Sequence, residues 1–231
     1  MNEEKFVIAI DGPVASGKGT IASRLAQELH GLYLYTGAMY RIVALASFES
    51  NIDLNDESLV VSLLPKISIS YDGEKVFFNG RDVTERIKEQ DTANGASIVG
   101  VYPQVRAALV QMQQQIGRDA ISKGKIVVTE GRDTATKVFP DALVKIYLTA
   151  TDEIRAKRRL LQYEQKGAET TLQYVLEEIA ERDKRDRERA TDPLPSNPQQ
   201  VGYTIIDNST MSEEETLHAI KAVLVRVGVA I

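Results

Sequence analysis

The stretch that decides the fold is Phe6-Val7-Ile8-Ala9-Ile10-Asp11-Gly12-Pro13-Val14-Ala15-Ser16-Gly17-Lys18-Gly19-Thr20. Its first five residues form a short apolar run that is typical of a buried parallel strand. The glycines that follow let several backbone N–H groups point at one phosphate chain, and Lys18 adds a cation at the start of a helix. The sequence therefore predicts a nucleotide-binding P-loop. The residues predicted to bind ATP are Gly12, Pro13, Val14, Ala15, Ser16, Gly17, Lys18, Gly19 and Thr20.

The spacing after Lys18 narrows the class of P-loop protein. The usual motif has Ser or Thr directly after the lysine, whereas here Gly19 stands before Thr20. One residue turns a helix by about 100°, so we expect Mg²⁺ to be held with ATP through water and phosphate oxygens, with Thr20 as an open alternative. The Gly-Lys-Gly-Thr form is typical of nucleoside monophosphate kinases, and the sequence has no Asn-Lys-x-Asp segment of the kind that reads guanine in GTPases.

The rest of the chain alternates short apolar runs with helical patterns. Such an order predicts an α/β fold with a parallel sheet covered by helices on both faces. We expect strands at 6–10, 32–34, 125–129, 144–148 and 203–206, and helices at 37–48 with Thr36 as the N-cap, 103–122, 152–166, 172–189 and 213–227. The segment 67–78 differs, because period-two alternation on both sides of Asp72-Gly73 predicts a β-hairpin inserted into this core.

Composition excludes several classes of function. The chain has 231 residues and a formal net charge of −5, which argues against non-specific binding to nucleic acid or anionic lipid. It has no cysteine, which fits a reducing cytosol. The acidic start, Met1 to Lys5, predicts no signal peptide, and no apolar run approaches the length of a membrane span. We therefore expect a soluble cytoplasmic protein without a nucleic-acid or membrane partner.

Cationic side chains follow two of the predicted strands. Arg41 comes shortly after the second strand, and Arg132-Asp133 follows Glu130-Gly131 at the end of the third. Ligands of open parallel sheets bind at the carboxyl ends of the strands. Because a kinase must bring two polyanions into line, these residues are candidates for binding the acceptor phosphate.

A charged segment, Arg182 to Arg189, continues a helix whose apolar stripe runs through Leu172, Leu176 and Ile179. Continuing that stripe at helical spacing leads to Arg182, Asp186 and Arg189, so the inward face becomes charged. A charged residue on an inward face needs a partner, which an anionic ligand can supply. Together with arginines at 155, 158 and 159, the segment predicts a helical lid that closes over phosphates.

At this point the chain resembles the bacterial cytidylate kinases, over essentially its whole length. The matching segments are Ile8 to Pro13, Ser16 to Thr20, Thr36-Gly37-Ala38-Met39-Tyr40-Arg41, Gly131-Arg132-Asp133 with Val138-Phe139-Pro140, and Arg182-Asp183 through Arg189. The resemblance implies a three-layer P-loop kinase with a five-stranded parallel sheet, an inserted β-containing acceptor-binding domain and a helical lid. Within one domain spanning 1–231, we expect the core at 1–50, 103–154 and 195–231, the insertion at about 51–102 and the lid at about 155–194.

The resemblance also implies a reaction and a set of residue roles. The reaction is ATP-dependent phosphorylation of CMP and dCMP by a monomeric enzyme, with Lys18, Arg182 and either Arg158 or Arg159 offsetting the charge that develops. The residues assigned to CMP are Thr36, Arg41, Ser97, Arg106, Arg132, Asp133, Arg182, Asp186 and Arg189. Asp133 is chemically suited to accept a hydrogen bond from the cytosine amino group, which uracil lacks.

The sequence also departs from the family's pattern. Tyr35 stands where the family usually has Asp, Ala135 where it has Gly, and Gln114 where it has Arg, and Ile87-Lys88-Glu89-Gln90 replaces a more typical segment. Two other interpretations stay open: a kinase of UMP, AMP or a non-nucleotide alcohol such as shikimate, and a P-loop switch that hydrolyses nucleotide without an acceptor.

Overall fold

The computed structural model describes residues 6–229. The acidic start, Met1 to Lys5, on which the prediction of no signal peptide rests, lies outside the described residues. Within residues 6–229, no helix is both long enough and apolar enough to cross a membrane.

The described residues form eight strands and eight α-helices. The strands are β1 Val7–Asp11, β2 Leu32–Tyr35, β3 Ile69–Asp72, β4 Lys75–Phe78, β5 Arg81–Asp82, β6 Val127–Gly131, β7 Val144–Thr149 and β8 Thr204–Asp207. The helices are α1 Lys18–Glu28, α2 Thr36–Glu49, α3 Glu57–Leu63, α4 Gln90–Val99, α5 Pro103–Ser122, α6 Asp152–Gln165, α7 Leu172–Glu188 and α8 Glu213–Arg226. The predicted core strands and helices are thus present, with ends that differ by a few residues.

Five strands form one parallel sheet in the order β2-β6-β1-β7-β8. The central strand β1 is buried along its whole length, and its side chains alternate between two apolar layers. Ile8 and Ile10 face the layer that contains α1 and α8, whereas Val7 and Ala9 face the layer that contains α2 and α5. The three-layer α/β fold with a five-stranded parallel sheet is confirmed. Because β1 and β6 are central and parallel, the loops that follow them open at the same edge of the sheet.

The segment between α2 and α5 contains the predicted hairpin. Strands β3 and β4 pair antiparallel, from Ile69 opposite Phe78 to Asp72 opposite Lys75, and β5 adds a short third strand. The sequence analysis did not predict α3 or α4. Helix α4 is rich in polar residues and contains Gly95, which weakens its helical pattern. It packs closely on α2, because a side chain at Gly95 would lie 2.6 Å from the Ala44 side chain.

One predicted helix start is wrong. We expected Thr36 to be the N-cap of α2, but α2 begins at Thr36 and Tyr35 flanks it without a side-chain cap. The Thr36 hydroxyl instead donates a hydrogen bond of 2.7 Å to the backbone oxygen of Glu130. This bond joins the start of α2 to the end of β6, which brings two of the loops at the sheet edge together.

We expect Gly12→Ala to lower the free energy of unfolding by about 2 kcal/mol. A side chain at position 12 would lie 2.1 Å from the backbone oxygen of Leu148 on the neighbouring strand, so the loop or β7 must shift. Gly19→Ala, in the first turn of α1, is the control, because its side chain would meet only the Tyr33 hydroxyl at 3.5 Å. Urea denaturation of both variants tests the prediction, and equal stability of the two would contradict it.

Candidate functional site

A cleft of about 360 Å³ lies at the carboxyl ends of β1, β2 and β6, under the α6–α7 hairpin. Most of the predicted site residues line it. Those that do are Val14, Ala15, Gly17, Lys18, Gly19, Thr20, Thr36, Arg41, Ser97, Arg106, Arg132, Asp133, Arg159, Arg182, Asp186 and Arg189. Four do not line it: Gly12, Pro13, Ser16 and Arg158. The structure thus gathers donor-side and acceptor-side candidates around one space.

The loop between β1 and α1 has the backbone shape of an anion cradle. Ala15 and Gly17 both have left-handed backbone conformations, with φ of 57° and 87°. The Lys18 ammonium reaches back across the loop and donates a hydrogen bond of 2.8 Å to the backbone oxygen of Pro13. The loop is therefore folded into a tight turn whose lysine stays beside its own backbone.

Lys18 is poised to change its charge state. Burial, together with the nearby charge of Arg132, lowers the pKa of its amine to about 7, although Glu130 opposes the shift. An anion next to Lys18 would favour the charged amine. The protonation of Lys18 is therefore expected to depend on what occupies the cleft.

The two arginines left open as alternatives occupy different places. Arg158 donates hydrogen bonds to the side-chain and backbone oxygens of Asn208, at 3.0 and 2.9 Å, and Asn208 in turn donates one of 3.1 Å to the backbone oxygen of Ser16. Arg159 lines the cleft, and its guanidinium lies 4.7 Å from the ring centroid of Tyr163. Arg158 thus contacts the phosphate loop through Asn208 from outside the cleft, whereas Arg159 faces the cleft.

At the acceptor end, a buried ion pair joins α5 to the loop after β6. Arg106 is 1% exposed and donates a hydrogen bond of 2.5 Å to the Asp133 carboxylate. Burial raises the pKa of Asp133, although Arg106 and Arg189 oppose that shift. Ser97 lines the same end of the cleft, and its hydroxyl is buried without a hydrogen-bond partner. This end therefore offers fixed hydrogen-bonding groups that suit a small polar ring.

Three arginines surround the middle of the cleft, and each is held differently. Arg132 donates a hydrogen bond of 2.6 Å to Asp186, and this arginine holds the pKa of Asp186 below its usual value although burial acts to raise it. Arg41 donates to the backbone oxygen of Ile87 at 2.7 Å and lies over the ring of Tyr35. The Arg182 Nε is buried without a partner, and burial lowers the pKa of this guanidinium to about 10.

The sequence analysis missed several residues that line the cleft. Glu130 is 5% exposed at the end of β6, and its position directly before Gly131-Arg132-Asp133 was the available signal. Tyr33 and Tyr35 stack in parallel at the end of β2 and line the cleft beside the loop. Tyr35 had been noted only as a departure from the family's pattern.

The lining also bears on the predicted Mg²⁺. Within residues 6–229, no group of three or more acidic, His or Cys side chains is arranged to hold a metal. The Thr20 hydroxyl and the Glu130 carboxylate both line the cleft and are hard oxygen donors. Mg²⁺ is often bound through one carboxylate, water and substrate phosphates. The residues present therefore fit a Mg²⁺ ion that arrives with a nucleotide.

Comparison of the sequence with known proteins identifies a family of nucleotide kinases. Residues 8–225 match the family model described as cytidylate kinase. The chain is 43% identical over 213 residues to the cytidylate kinase of Caldanaerobacter subterraneus subsp. tengcongensis, with 92% of each chain covered. It is 44% identical over 196 residues to that of Bacillus subtilis strain 168, covering 83% of this chain and 85% of the relative. Among solved structures, an uncharacterised protein from Eubacterium ventriosum ATCC 27560 matches with a TM-score of 0.55 and 14% identity, covering 96% of this chain and 99% of that one, which supports the fold alone.

We expect binding of a nucleoside triphosphate at pH 8 to take up close to one proton. Without nucleotide, Lys18 is largely neutral at this pH because its pKa is about 7. The bound phosphates raise that pKa, so Lys18 takes up a proton and becomes charged. Calorimetry in buffers of different ionisation enthalpy measures the uptake. Lys18→Met is the control and should lose it, and equal proton uptake by the two proteins would contradict the prediction.

Proposed function

The chain belongs to the cytidylate kinase family, and we propose that it transfers the γ-phosphoryl group of ATP to the 5′-phosphate of CMP or dCMP. The observation that carries the proposal is one cleft lined by the phosphate loop at one end and by the buried Arg106–Asp133 pair at the other. The products are ADP and CDP or dCDP. We propose further that the enzyme acts as a cytoplasmic monomer, as the family resemblance implies.

The donor end of the cleft suits the triphosphate of ATP. The N–H groups of the loop and the charged form of Lys18 would bind the phosphates. Mg²⁺ bound with ATP supplies charge neutralisation there, and Thr20 and Glu130 are the residues that would hold it, directly or through water.

The middle of the cleft suits the acceptor phosphate. Arg41, Arg132 and Arg189 would bind it, because all three line the cleft and their guanidinium groups match phosphate oxygens. Asp186 holds Arg132 at 2.6 Å and would contact the sugar of the acceptor together with Arg182. These contacts set the acceptor oxygen in line with the transferred group.

The far end of the cleft suits cytosine. The Asp133 carboxylate would accept a hydrogen bond from the exocyclic amino group, and Arg106 and Ser97 would meet the ring nitrogen and the carbonyl. Uracil presents a carbonyl where cytosine has its amino group, so it would face a carboxylate. A buried hydrogen-bonding site of this kind rejects such an analogue strongly.

We propose no catalytic base. The acceptor phosphate is already a competent nucleophile, so catalysis consists of positioning and of offsetting developing negative charge. Lys18 and Arg182 would supply that charge. Of the two candidates on α6, we now favour Arg159, because it lines the cleft and Arg158 does not.

We expect CMP and dCMP to be phosphorylated with a kcat/KM at least about 100-fold above that for UMP or AMP. A coupled assay of ADP release with ATP and Mg²⁺ compares the four acceptors, and Lys18→Ala is the inactive control. Preference for UMP or AMP would refute the assignment of the base site. ADP release that ignores every acceptor would instead indicate a nucleotide-hydrolysing switch.

Asp133→Asn should lower kcat/KM for CMP by about 100-fold and narrow the ratio between CMP and UMP. The amide keeps the size of the carboxylate but can donate to the uracil carbonyl, and it weakens the ion pair with Arg106. Arg24→Gln is a control, because Arg24 pairs with Glu214 on the far side of the sheet. An unchanged preference for CMP over UMP in Asp133→Asn would contradict the role of Asp133.

A further inference from the structure

The phosphate loop is attached to both arms of the α6–α7 hairpin through one residue, Val14. Its N–H donates a hydrogen bond of 3.1 Å to Asp183 on α7, and its backbone oxygen accepts one of 2.8 Å from Arg155 on α6. Arg155 and Asp183 also form an ion pair of 2.7 Å with each other. Both polar groups of a single loop residue are therefore held by a pair of opposite charges.

The surroundings of this pair are closed to water. The side chains of Arg155 and Asp183 are each 3% exposed. The Val14 side chain packs in a small apolar cluster with Ala156 from α6 and with Val175 and Ile179 from α7. Electrostatic and hydrogen-bonding interactions are stronger and more directional in such a dry setting than in water. A shift of the loop relative to the hairpin would leave the buried N–H and backbone oxygen of Val14 without these partners, which disfavours intermediate positions.

Asp183 lies on α7 between two residues that line the cleft. Arg182 precedes it directly, and Asp186, which holds Arg132, follows within one helical turn. Because the helix is rigid on this scale, the contact between Asp183 and Val14 sets the distance from Arg182 to the phosphate loop. Asp183 itself does not line the cleft.

We propose that Arg155 and Asp183 are positioning residues that transmit the conformation of the phosphate loop to Arg182. The inference rests on the proposed phosphoryl transfer and adds a specific link within that site. Because Val14 joins the loop to this ion pair, ATP held by the loop would also fix α7, so that Arg182 faces the transferred phosphoryl group. Neither residue touches substrate in this scheme.

Asp183→Asn is the sharpest single variant. Val14 donates to one oxygen of the Asp183 carboxylate and Arg155 lies against the other, so asparagine, which has the same shape but one oxygen, cannot keep both contacts in place. Its amino group would instead face one of those donors. We expect kcat to fall about 10- to 100-fold, because small misplacements of a charge-stabilising group have effects of this size.

A double-mutant cycle with Arg182→Lys separates positioning from general destabilisation. If Asp183 acts through Arg182, Asp183→Asn should lower kcat by less than about threefold in the Arg182→Lys background. A purely structural role would give the full effect in both backgrounds, and that result would overturn the proposal. Leu224→Ala is the matched stability control. Leu224 is fully buried on α8, in the apolar layer between the sheet and helices α1 and α8, so this variant should lower stability and leave kcat unchanged.

Two further measurements keep the proposal falsifiable. If Asp183→Asn does not fold, Arg155→Lys enters the same cycle. It keeps the charge but replaces the planar guanidinium, whose Nη1 contacts both the Val14 backbone oxygen and Asp183, with a compact ammonium group on a flexible stem. Hydrogen exchange tests the link without turnover: ATP should protect α7 amides in the wild-type protein and not in the variant, and equal protection would overturn the proposal. If CMP does not stimulate ADP release by the wild-type protein, the proposed function is refuted. The hydrogen-exchange result would still test whether Asp183 couples the phosphate loop to α7.

Discussion

Burying a cationic side chain without a counter-charge is costly, and the geometry of this protein's cleft depends on how that cost is offset. Three arginines, two of them buried and one, Arg132, half-buried, are each paired with a carboxylate. The pairs are Arg106–Asp133 at 2.5 Å, Arg132–Asp186 at 2.6 Å and Arg155–Asp183 at 2.7 Å. Breaking such a pair by removing one partner typically costs about 3–5 kcal/mol, so the pairs fix the relative positions of the elements that carry them. They join α5 to the loop after β6, that loop to α7, and α7 to α6.

The parallel sheet explains why these pairs can meet. The central strands β1 and β6 run in the same direction, so the phosphate loop and the Arg132-Asp133 turn emerge side by side. Neither loop could hold its charged residues alone, since each is short. Helix α7 crosses above both and contributes one carboxylate toward each, Asp183 toward Val14 and Asp186 toward Arg132. The sheet thus determines where the cleft lies, and the charged pairs fix the position of α7 above it.

The sequence was enough to predict the sheet, the phosphate loop and the inward face of α7, because each follows from a local pattern. The helical spacing from Ile179 led to Arg182, Asp186 and Arg189, and all three line the cleft. Helix α4 was missed because Gly95 and its polar neighbours weaken the helical pattern, and tertiary packing against Ala44 decides the conformation instead. The link from Asp183 to Val14 spans 169 residues of sequence, so no local pattern could indicate it. Arg158 and Arg159 were indistinguishable for a related reason, since contacts distant in sequence separate their environments, such as that of Arg158 with Asn208.

Two cations of the cleft, Lys18 and Arg182, have no carboxylate within ion-pair distance among residues 6–229, unlike the three paired arginines. This difference bears on the proposed catalysis. Burial lowers the pKa of both, and the charge on Arg132 lowers both further. Three cations therefore share one region in which positive charge is under-compensated before substrate arrives. Negative charge placed there relieves both the desolvation and the mutual repulsion, and the relief grows with the amount of charge. In the proposed reaction, phosphoryl transfer would bring two phosphate chains together at this point, so the unmatched cations would favour the state in which donor and acceptor are closest. The matched pairs hold the geometry of the cleft, and in the proposed reaction the unmatched cations would interact with the reacting groups.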